Sequence, residues 1–226
     1  QGIEIEGIKL NIEKMMSNKN KSIQVLTKGV EFLFKKNKVS YYKGTASFKT
    51  TNKILIKNET KETIIETEKT IISTGSEPVS LPNIDFDEKI ILSSTGALSL
   101  EKVPKKMVVV GGGYIGLEMG SVWLRFGTEV HVVEFLDHII PGMDREISKE
   151  FMKILKKQGM KFHLQTKLES IKKNNNGTKI ITKDKDGKKI DFDCDVVLIS
   201  VGRKPNTKNL NLEKINITLD EKKRIK

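Results

Sequence analysis

KMVVVGGGYIGLEMGSVWLRFGTEVHVVE, running from Lys106 to Glu134, predicts a strand, a glycine turn, a helix and a second strand in direct succession. Met107–Val110 is a short β-branched run, the pattern of a central parallel strand covered on both faces. Gly111, Gly113 and Gly116 then fall in G-x-G-x-x-G spacing. The first glycine permits a tight turn, the second lets a pyrophosphate approach the backbone, and the third lets the helix pack closely on the strand. The helix start offers free N–H groups and the positive end of its dipole to phosphates. Glu129–Val133 is the next strand, and Glu134 stands at its carboxyl end, about twenty residues past the glycines, where an acid accepts hydrogen bonds from adenosine ribose hydroxyls. A carboxylate there repels a 2′-phosphate. The following Phe135, Leu136 and Asp137 bring no base to welcome one, so the pattern points to NAD(H) rather than NADP(H).

Outward from this stretch the pattern is α/β. A helix capped by Asp144 is expected to bury Ile147, Phe151, Ile154 and Leu155 and to stop at Gly159. A third strand covers 161–165. Hairpin strands follow around 174–177 and 185–187, with 173–177 read as a solvated loop, and Asp195–Val201 closes the unit. The expectation is a Rossmann-like dinucleotide-binding domain with a three-stranded β insertion, joined to part of a second domain. Upstream, Asn11 is placed to cap a short helix through Met16. After the polar stretch 17–21, Ile23, Leu26, Val30, Leu33 and Phe34 recur at helical spacing and predict one buried face. From Val39 the period becomes two, and 39–48, 53–57, 63–66 and 69–73 read as short strands. The last runs into Thr74-Gly75-Ser76-Glu77-Pro78, small side chains at a sheet's carboxyl edge, where open sheets bind ligands. Residues 77–104, with Pro78, Pro82 and Pro104, read as a linker.

The 226 residues carry a formal charge of +12. Lysines are spread along the whole chain, aromatics are few and no nucleic-acid recognition motif appears, so a biased proteome accounts for the charge better than a basic interface. No apolar run reaches the length of a membrane span and no signal peptide opens the sequence. The single Cys194 fits a reducing compartment and a structural thiol. His131, His138 and His163 read as structural or exposed, and no metal-ligand spacing is present. Both termini look cut: Gln1 is not an initiator Met, and 215–226 looks like the start of a strand unit with nothing to pair against.

GGGYIGLEMGSVW, VEFLDHIIPGMDREISK from Val133 to Lys149, and SVGRKPNTKNL from Ser200 to Leu210 resemble the pyridine-nucleotide disulfide oxidoreductases. They are most similar to the branch that oxidises lipoyl groups. The similarity extends to LTKGVEFLFKKNKV, T-G-S and SSTGALSLEKVP. It implies a partial FAD-binding domain over 1–102, an NAD-binding domain over 103–204 and the start of a return to the FAD domain over 205–226. It implies that Gly111, Gly112, Gly113, Tyr114, Ile115, Gly116, Leu117 and Glu118 hold the pyrophosphate and nicotinamide half of NAD. Glu134 would hold the ribose, Leu168 would lie near the adenine, and Gly202 would let the backbone approach the nicotinamide. Ala46, Thr74, Gly75 and Ser76 would lie by FAD. Tyr114 stands where some members carry a lid over the nicotinamide pocket.

The resemblance further implies electron flow from a dithiol to a cysteine pair, to FAD and then to NAD⁺. The partner would be a lipoyl-bearing protein of a 2-oxo acid dehydrogenase complex, the parent a homodimer, and the setting bacterial cytoplasm or mitochondrial matrix. The family's first FAD glycine motif, its C-x4-C pair and its late His–Glu pair do not occur in these residues, so no catalytic residue is expected here and the segment alone should be inactive. A related disulfide or mercuric reductase, and a non-catalytic nucleotide-binding module, are the alternatives at this point.

Overall fold

Three mostly apolar runs, Met107–Val110, Val130–Val133 and Val196–Ile199, become the centre of a parallel sheet. The computed structural model describes residues 7–174 and 177–226. Along the chain, α1 (Ile12–Lys36) precedes β1 (Thr45–Thr50), β2 (Lys53–Lys57), β3 (Glu62–Glu66) and β4 (Ser76–Pro78). Then come β5 (Ile91–Leu92), α2 (Ser94–Ala97), β6 (Lys106–Val110), α3 (Tyr114–Arg125), β7 (Glu129–Val133), α4 (Arg145–Lys157) and β8 (Lys161–His163). A meander of β9 (Thr166–Asn174), β10 (Gly177–Asp184) and β11 (Lys189–Cys194) leads into β12 (Val196–Ile199), β13 (Arg203–Pro205) and a 3₁₀ turn, Leu212–Ile215. The chain divides into two compact units, Gln1–Ser17 with Pro78–Gly202, and Asn18–Glu77 with Arg203–Lys226. Among the described residues no helix is long and apolar enough to cross a membrane.

In the first unit the strand order is β5-β12-β6-β7-β8, with all four pairings parallel. Strand alternation divides its apolar residues between two clusters. Met107, Val109, Val130, Val132 and Leu198 pack with Leu117 and Trp123 of α3 and Leu155 of α4. Val108, Val110, Val133, Val197 and Ile199 pack with Ile180, Phe192 and Cys194 of the antiparallel meander. Each such side chain, fully buried, stabilises the fold by about 1.5–3 kcal/mol relative to exposure. In register, Val110 pairs with Val133, so the next residues of each strand, Gly111 and Glu134, emerge at the same sheet end.

Several expectations need correction here. The linker is structured: β5 adds an edge to the sheet, and α2, capped by Ser93, is tied to α3 by Trp123 Nε1 donating to the carbonyl of Ala97 at 3.1 Å. Its prolines flank these elements or sit in β4 and do not interrupt them. In α4, Ile147 and Ile154 are exposed, while Ser148 and Leu155 are buried. Ser148 turns inward because its hydroxyl donates to the Ile139 carbonyl at 2.8 Å, which rotates the helix away from its most apolar face. Asp144 does cap α4, accepting from Glu146 N at 2.8 Å and Ile147 N at 3.3 Å. Asp144→Ala is expected to lower stability by about 1 kcal/mol, read as a shifted urea midpoint with unchanged slope. The hairpin turn between β9 and β10, part of the expected solvated loop, lies partly outside the described residues.

In the second unit β1, β2 and β3 form an antiparallel sheet whose Phe48, Ile54 and Ile56 bury against Leu210 and Leu212. The tail therefore does find partners: Ile215, Ile217 and Leu219 join this core, and Leu219 bridges Ile225. Residues 39–44 and 69–73 are not strands; no ladder forms beside them, and Ile71 is 91% exposed. Asn11 caps α1 as expected, its Oδ1 accepting from Lys14 N at 2.9 Å, but the helix runs unbroken through the polar stretch. Its apolar side chains Ile23, Leu26, Val30, Leu33 and Phe34 are exposed rather than buried. The periodicity is helical, and what it lacks among the described residues is a counter-surface; the β1–β3 sheet turns its core onto the C-terminal segment.

Candidate functional site

At the carboxyl end of β6 the chain must reverse in one residue to enter α3, and Gly111 does so at φ +106. Its N–H donates to the Val133 carbonyl at 2.9 Å, which extends the β6–β7 ladder into the turn. A Cβ on Gly111 would meet the Ser200 carbonyl oxygen at 2.5 Å. At Gly116 a Cβ would meet the Gly111 carbonyl oxygen at 2.6 Å and the Ser200 hydroxyl, so the helix lies against the turn as closely as a glycine allows. Ser200 closes the arrangement: its N–H donates to the Val110 carbonyl at 2.8 Å, and its hydroxyl lies 3.1 Å and 3.2 Å from the carbonyls of Val110 and Gly111.

Gly113 differs from these two. It is the N-cap of α3 in extended backbone, φ −76, and a Cβ built on it meets nothing within 4 Å. Packing explains Gly111 and Gly116; it does not explain Gly113. What Gly113 supplies is unobstructed backbone at the mouth of a helix, the feature an anionic group needs to reach the free N–H groups and the dipole.

Glu134 faces that mouth. It is 7% exposed. One carboxylate oxygen accepts from Gly112 N at 2.5 Å and the other from Leu136 N at 2.7 Å. Its own N–H donates to the His163 carbonyl and its carbonyl accepts from Thr166 N, both at 2.9 Å. Each oxygen retains lone pairs for a sugar hydroxyl. The Gly112 carbonyl accepts from Ile140 N at 2.7 Å, so both backbone groups of Gly112 are engaged. Ile140 takes a left-handed φ of 44 to make that bond, a conformation unusual for a β-branched residue. Beyond it, Asp137 accepts from Arg145 at 3.0 and 3.3 Å and pairs with His138 at 2.7 Å. The Arg145 guanidinium, and then His138, hold the Asp137 carboxyl at about 2.

Tyr114 and Glu118 lie one turn apart on α3, both exposed, while Ile115 is half-buried and Leu117 is fully buried in the core. Leu168, on β9, packs against the meander-side cluster. Gly202 is exposed at φ +137 with open space beside it, and its carbonyl accepts from Val79 N at 3.0 Å. The structure brings Gly111–Glu118 and Glu134 together at one sheet end.

In the second unit Gly75 turns at φ +72 with no neighbour near a built Cβ. The Thr74 hydroxyl donates to the Asn206 carbonyl at 2.6 Å, and Asn206 N donates to the Gly75 carbonyl at 3.0 Å. Arg203 Nε donates to the Ser76 hydroxyl at 2.7 Å and its guanidinium also to the Ser76 carbonyl. Arg203, which organises this turn, was not singled out by the sequence reading; its place in G-R-K-P directly after a buried strand was the available signal. Ala46 is exposed on β1, opposite Ile56. Cys194 is buried, and burial pushes its thiol up to about 12, a structural sulfur. Among the described residues no group of three or more His, Cys, Asp or Glu side chains is placed to hold a metal ion.

Comparison with known proteins bears on this arrangement. The family described as pyridine nucleotide-disulphide oxidoreductase matches residues 3–226. Dihydrolipoamide dehydrogenase of Chaetomium thermophilum is 52% identical over 100% of this chain and 45% of its own length. Mitochondrial dihydrolipoyl dehydrogenase of Dictyostelium discoideum is 47% identical over 99% of this chain and 47% of its own length. Among solved structures, a Cu(II) complex of a cysteine mutant of the HOCl-induced flavoprotein disulfide reductase RclA from Escherichia coli superposes with a TM-score of 0.81 at 26% identity, over 94% of this chain and 48% of that one. The chain thus spans just under half the length of the curated relatives it matches.

Proposed function

Since the chain belongs to the pyridine nucleotide-disulphide oxidoreductase family, whose mixed α/β fold with a parallel sheet it shares, we propose that it is the NAD-binding portion of a dihydrolipoyl dehydrogenase. Such an enzyme oxidises protein-bound dihydrolipoamide through a redox disulfide and FAD and reduces NAD⁺. The observation that carries the reading is the pairing of Gly113, open at the mouth of α3, with the buried Glu134 carboxylate at the same sheet end. Both fit a dinucleotide: one leaves room for a pyrophosphate, the other presents acceptors to a ribose.

The residues have separable tasks. Gly111, Gly112, Gly113 and Gly116 shape the phosphate cradle. Glu134 fixes the adenosine half and repels a 2′-phosphate. Tyr114, Ile115, Leu117 and Glu118 set the start of α3, Leu168 lines the adenine side, and Gly202 leaves backbone clear for the nicotinamide, which when bound supplies a hydride acceptor. Ala46, Thr74, Gly75 and Ser76 are assigned to FAD. The domain reading follows the same lines, with an NAD-binding domain over 103–204 between parts of an FAD-binding domain. A lipoyl-bearing protein of a 2-oxo acid dehydrogenase complex is the proposed partner, a homodimer the proposed parent. The mitochondrial matrix is the proposed setting, in line with the names of several relatives.

Calorimetric titration of the intact protein tests the cofactor. NADH is expected to bind at least about tenfold more tightly than NADPH, a difference of about 1.4 kcal/mol. Equal affinities would end the assignment.

A further inference from the structure

Between the parallel sheet and the meander runs a line of polar side chains that the proposed reaction does not use. Glu129 and His131 stand two residues apart on β7 and so share a face. His163 follows on the neighbouring β8. His131 Nε2 lies 2.9 Å from Glu129 Oε1, and His131 Nδ1 lies 3.0 Å from His163 Nε2. The two rings are near-parallel, 4° apart, and Phe192 of β11 packs edge-on against both, at centroid distances of 5.3 and 4.6 Å. The charged groups facing the pair are Glu129, Lys161 of β8, which pairs with Glu129, and Lys106 of β6, whose Nζ lies 3.9 Å from the same carboxylate. Among the described residues, the meander places Phe192 against the pair and, in the same cluster, the neutral Cys194.

These contacts fix the proton positions. A carboxylate only accepts, so His131 carries its proton on Nε2 and leaves Nδ1 bare. His163 must then carry its proton on Nε2 and donate it to His131. One added proton is accommodated without breaking the bond: it enters at His163 Nδ1, and the shared proton then sits on His163 Nε2 or passes to His131 Nδ1. A second sets N–H against N–H at the distance of a hydrogen bond, between two cations with Lys106 and Lys161 close by. Such a pair is stable neutral and self-repelling when fully charged.

The pair also reaches the nucleotide site through the backbone. The carbonyl of His163 is the acceptor for the N–H of Glu134. We infer that the His131–His163 pair is a proton-operated latch: neutral, it holds the meander on the sheet and Glu134 in place, and doubly charged, it parts the two and loosens the grip on the adenosine ribose. The second half of this statement rests on the nucleotide reading given above; the first does not.

Burial, which disfavours the charged ring, holds both imidazoles below their ordinary value; for His131 the Glu129 hydrogen bond opposes it, and for His163 the charge of His131 adds to it. The unfolded chain would take up these protons near pH 6.5. The stabilisation is therefore fully present above about pH 6.5 and is lost as pH falls through that value toward the lowered folded values.

The test is made on the intact protein, with ADP-ribose as the calorimetric probe because it lacks the nicotinamide and so reports the adenosine and pyrophosphate contacts. Between about pH 7.5 and about pH 5.5 its dissociation constant is expected to rise about fivefold or more, within the usual range of coupling between two sites. His163→Gln keeps a donor toward His131 and removes one titrating ring, so its affinity should stay flat. Hydrogen–deuterium exchange without nucleotide, corrected for intrinsic rates, should show 189–194 losing protection over the same interval in the unaltered protein only. A flat affinity profile in the unaltered protein, or unchanged protection of 189–194, overturns the latch whether or not the variant folds. Absence of ADP-ribose and NADH binding at about pH 7.5, with the exchange change still present, removes the nucleotide reading and leaves the latch standing.

Discussion

Gly111→Ala is expected to unfold much of the nucleotide unit's margin of stability, while Gly113→Ala two residues away is expected to leave the fold intact and abolish tight NADH binding. At Gly111 a side chain costs twice over: about 1–2 kcal/mol for a left-handed backbone and about 1–3 kcal/mol for driving Cβ into the Ser200 carbonyl, a backbone atom that cannot swing aside. A loss of about 2–5 kcal/mol should appear directly in urea titrations. At Gly113 the backbone is ordinary and the space is open. The change to alanine there should cost within about 1 kcal/mol, the worth of a cap. Its methyl group would stand where the proposed pyrophosphate approaches, and NADH affinity should fall about a hundredfold or more, about 2.7 kcal/mol. The contrast is diagnostic. If Gly113→Ala binds NADH as well as the unaltered protein, the open mouth of α3 is not a phosphate cradle. If Gly111→Ala is as stable as the unaltered protein, the close approach of β12 to the turn is not what demands a glycine.

Glu134→Ala is the second large effect, and it acts on fold and ligand together. The carboxylate satisfies two backbone donors, Gly112 N–H and Leu136 N–H. Each loses its partner in the alanine variant, at about 1–3 kcal/mol where water cannot replace it. NADH binding should weaken by a further ~1–3 kcal/mol, the worth of hydrogen bonds to a charged group. Unfolding with and without nucleotide separates the two losses, because the ligand-dependent increment reports binding alone. Glu134→Gln should fall between, since its amide oxygen serves one of the two donors and its NH₂ opposes the other. Glu134→Arg should narrow or reverse the preference against NADPH. An alanine variant with unaltered stability and unaltered NADH affinity would remove Glu134 from both roles.

Much of the nucleotide unit was legible because its signals are local. The run at Val108–Val110 had to be buried on both faces, and the G-x-G-x-x-G spacing and terminal acid of the next strand need only three neighbouring elements to take effect. Elsewhere the deciding partner is distant in sequence. β5 is two residues long and exists because β12, more than a hundred residues later, offers it a ladder. α2 is held by the Trp123 indole, which no pattern in 94–97 announces. Ser148 faces inward for one carbonyl bond that outweighs the apolar periodicity of α4. The α1 stripe has the expected helical spacing but not the expected burial, because periodicity states only that a surface is apolar, not what lies against it. The histidines read as structural or exposed because none has a partner at a catalytic spacing along the chain. Glu129 and His131, two apart on a strand, were the legible half of the line; His163 required the parallel register of β7 and β8.

Gly112 has a further consequence. With its N–H committed to Glu134 and its carbonyl to Ile140, the proposed binding loop is held in shape by its own chain before any ligand arrives. A cofactor entering such a rigid mould loses its own freedom but orders little of the protein, so its intrinsic contacts convert efficiently into affinity. The unusual twist at Ile140 is then the standing strain by which that readiness is maintained.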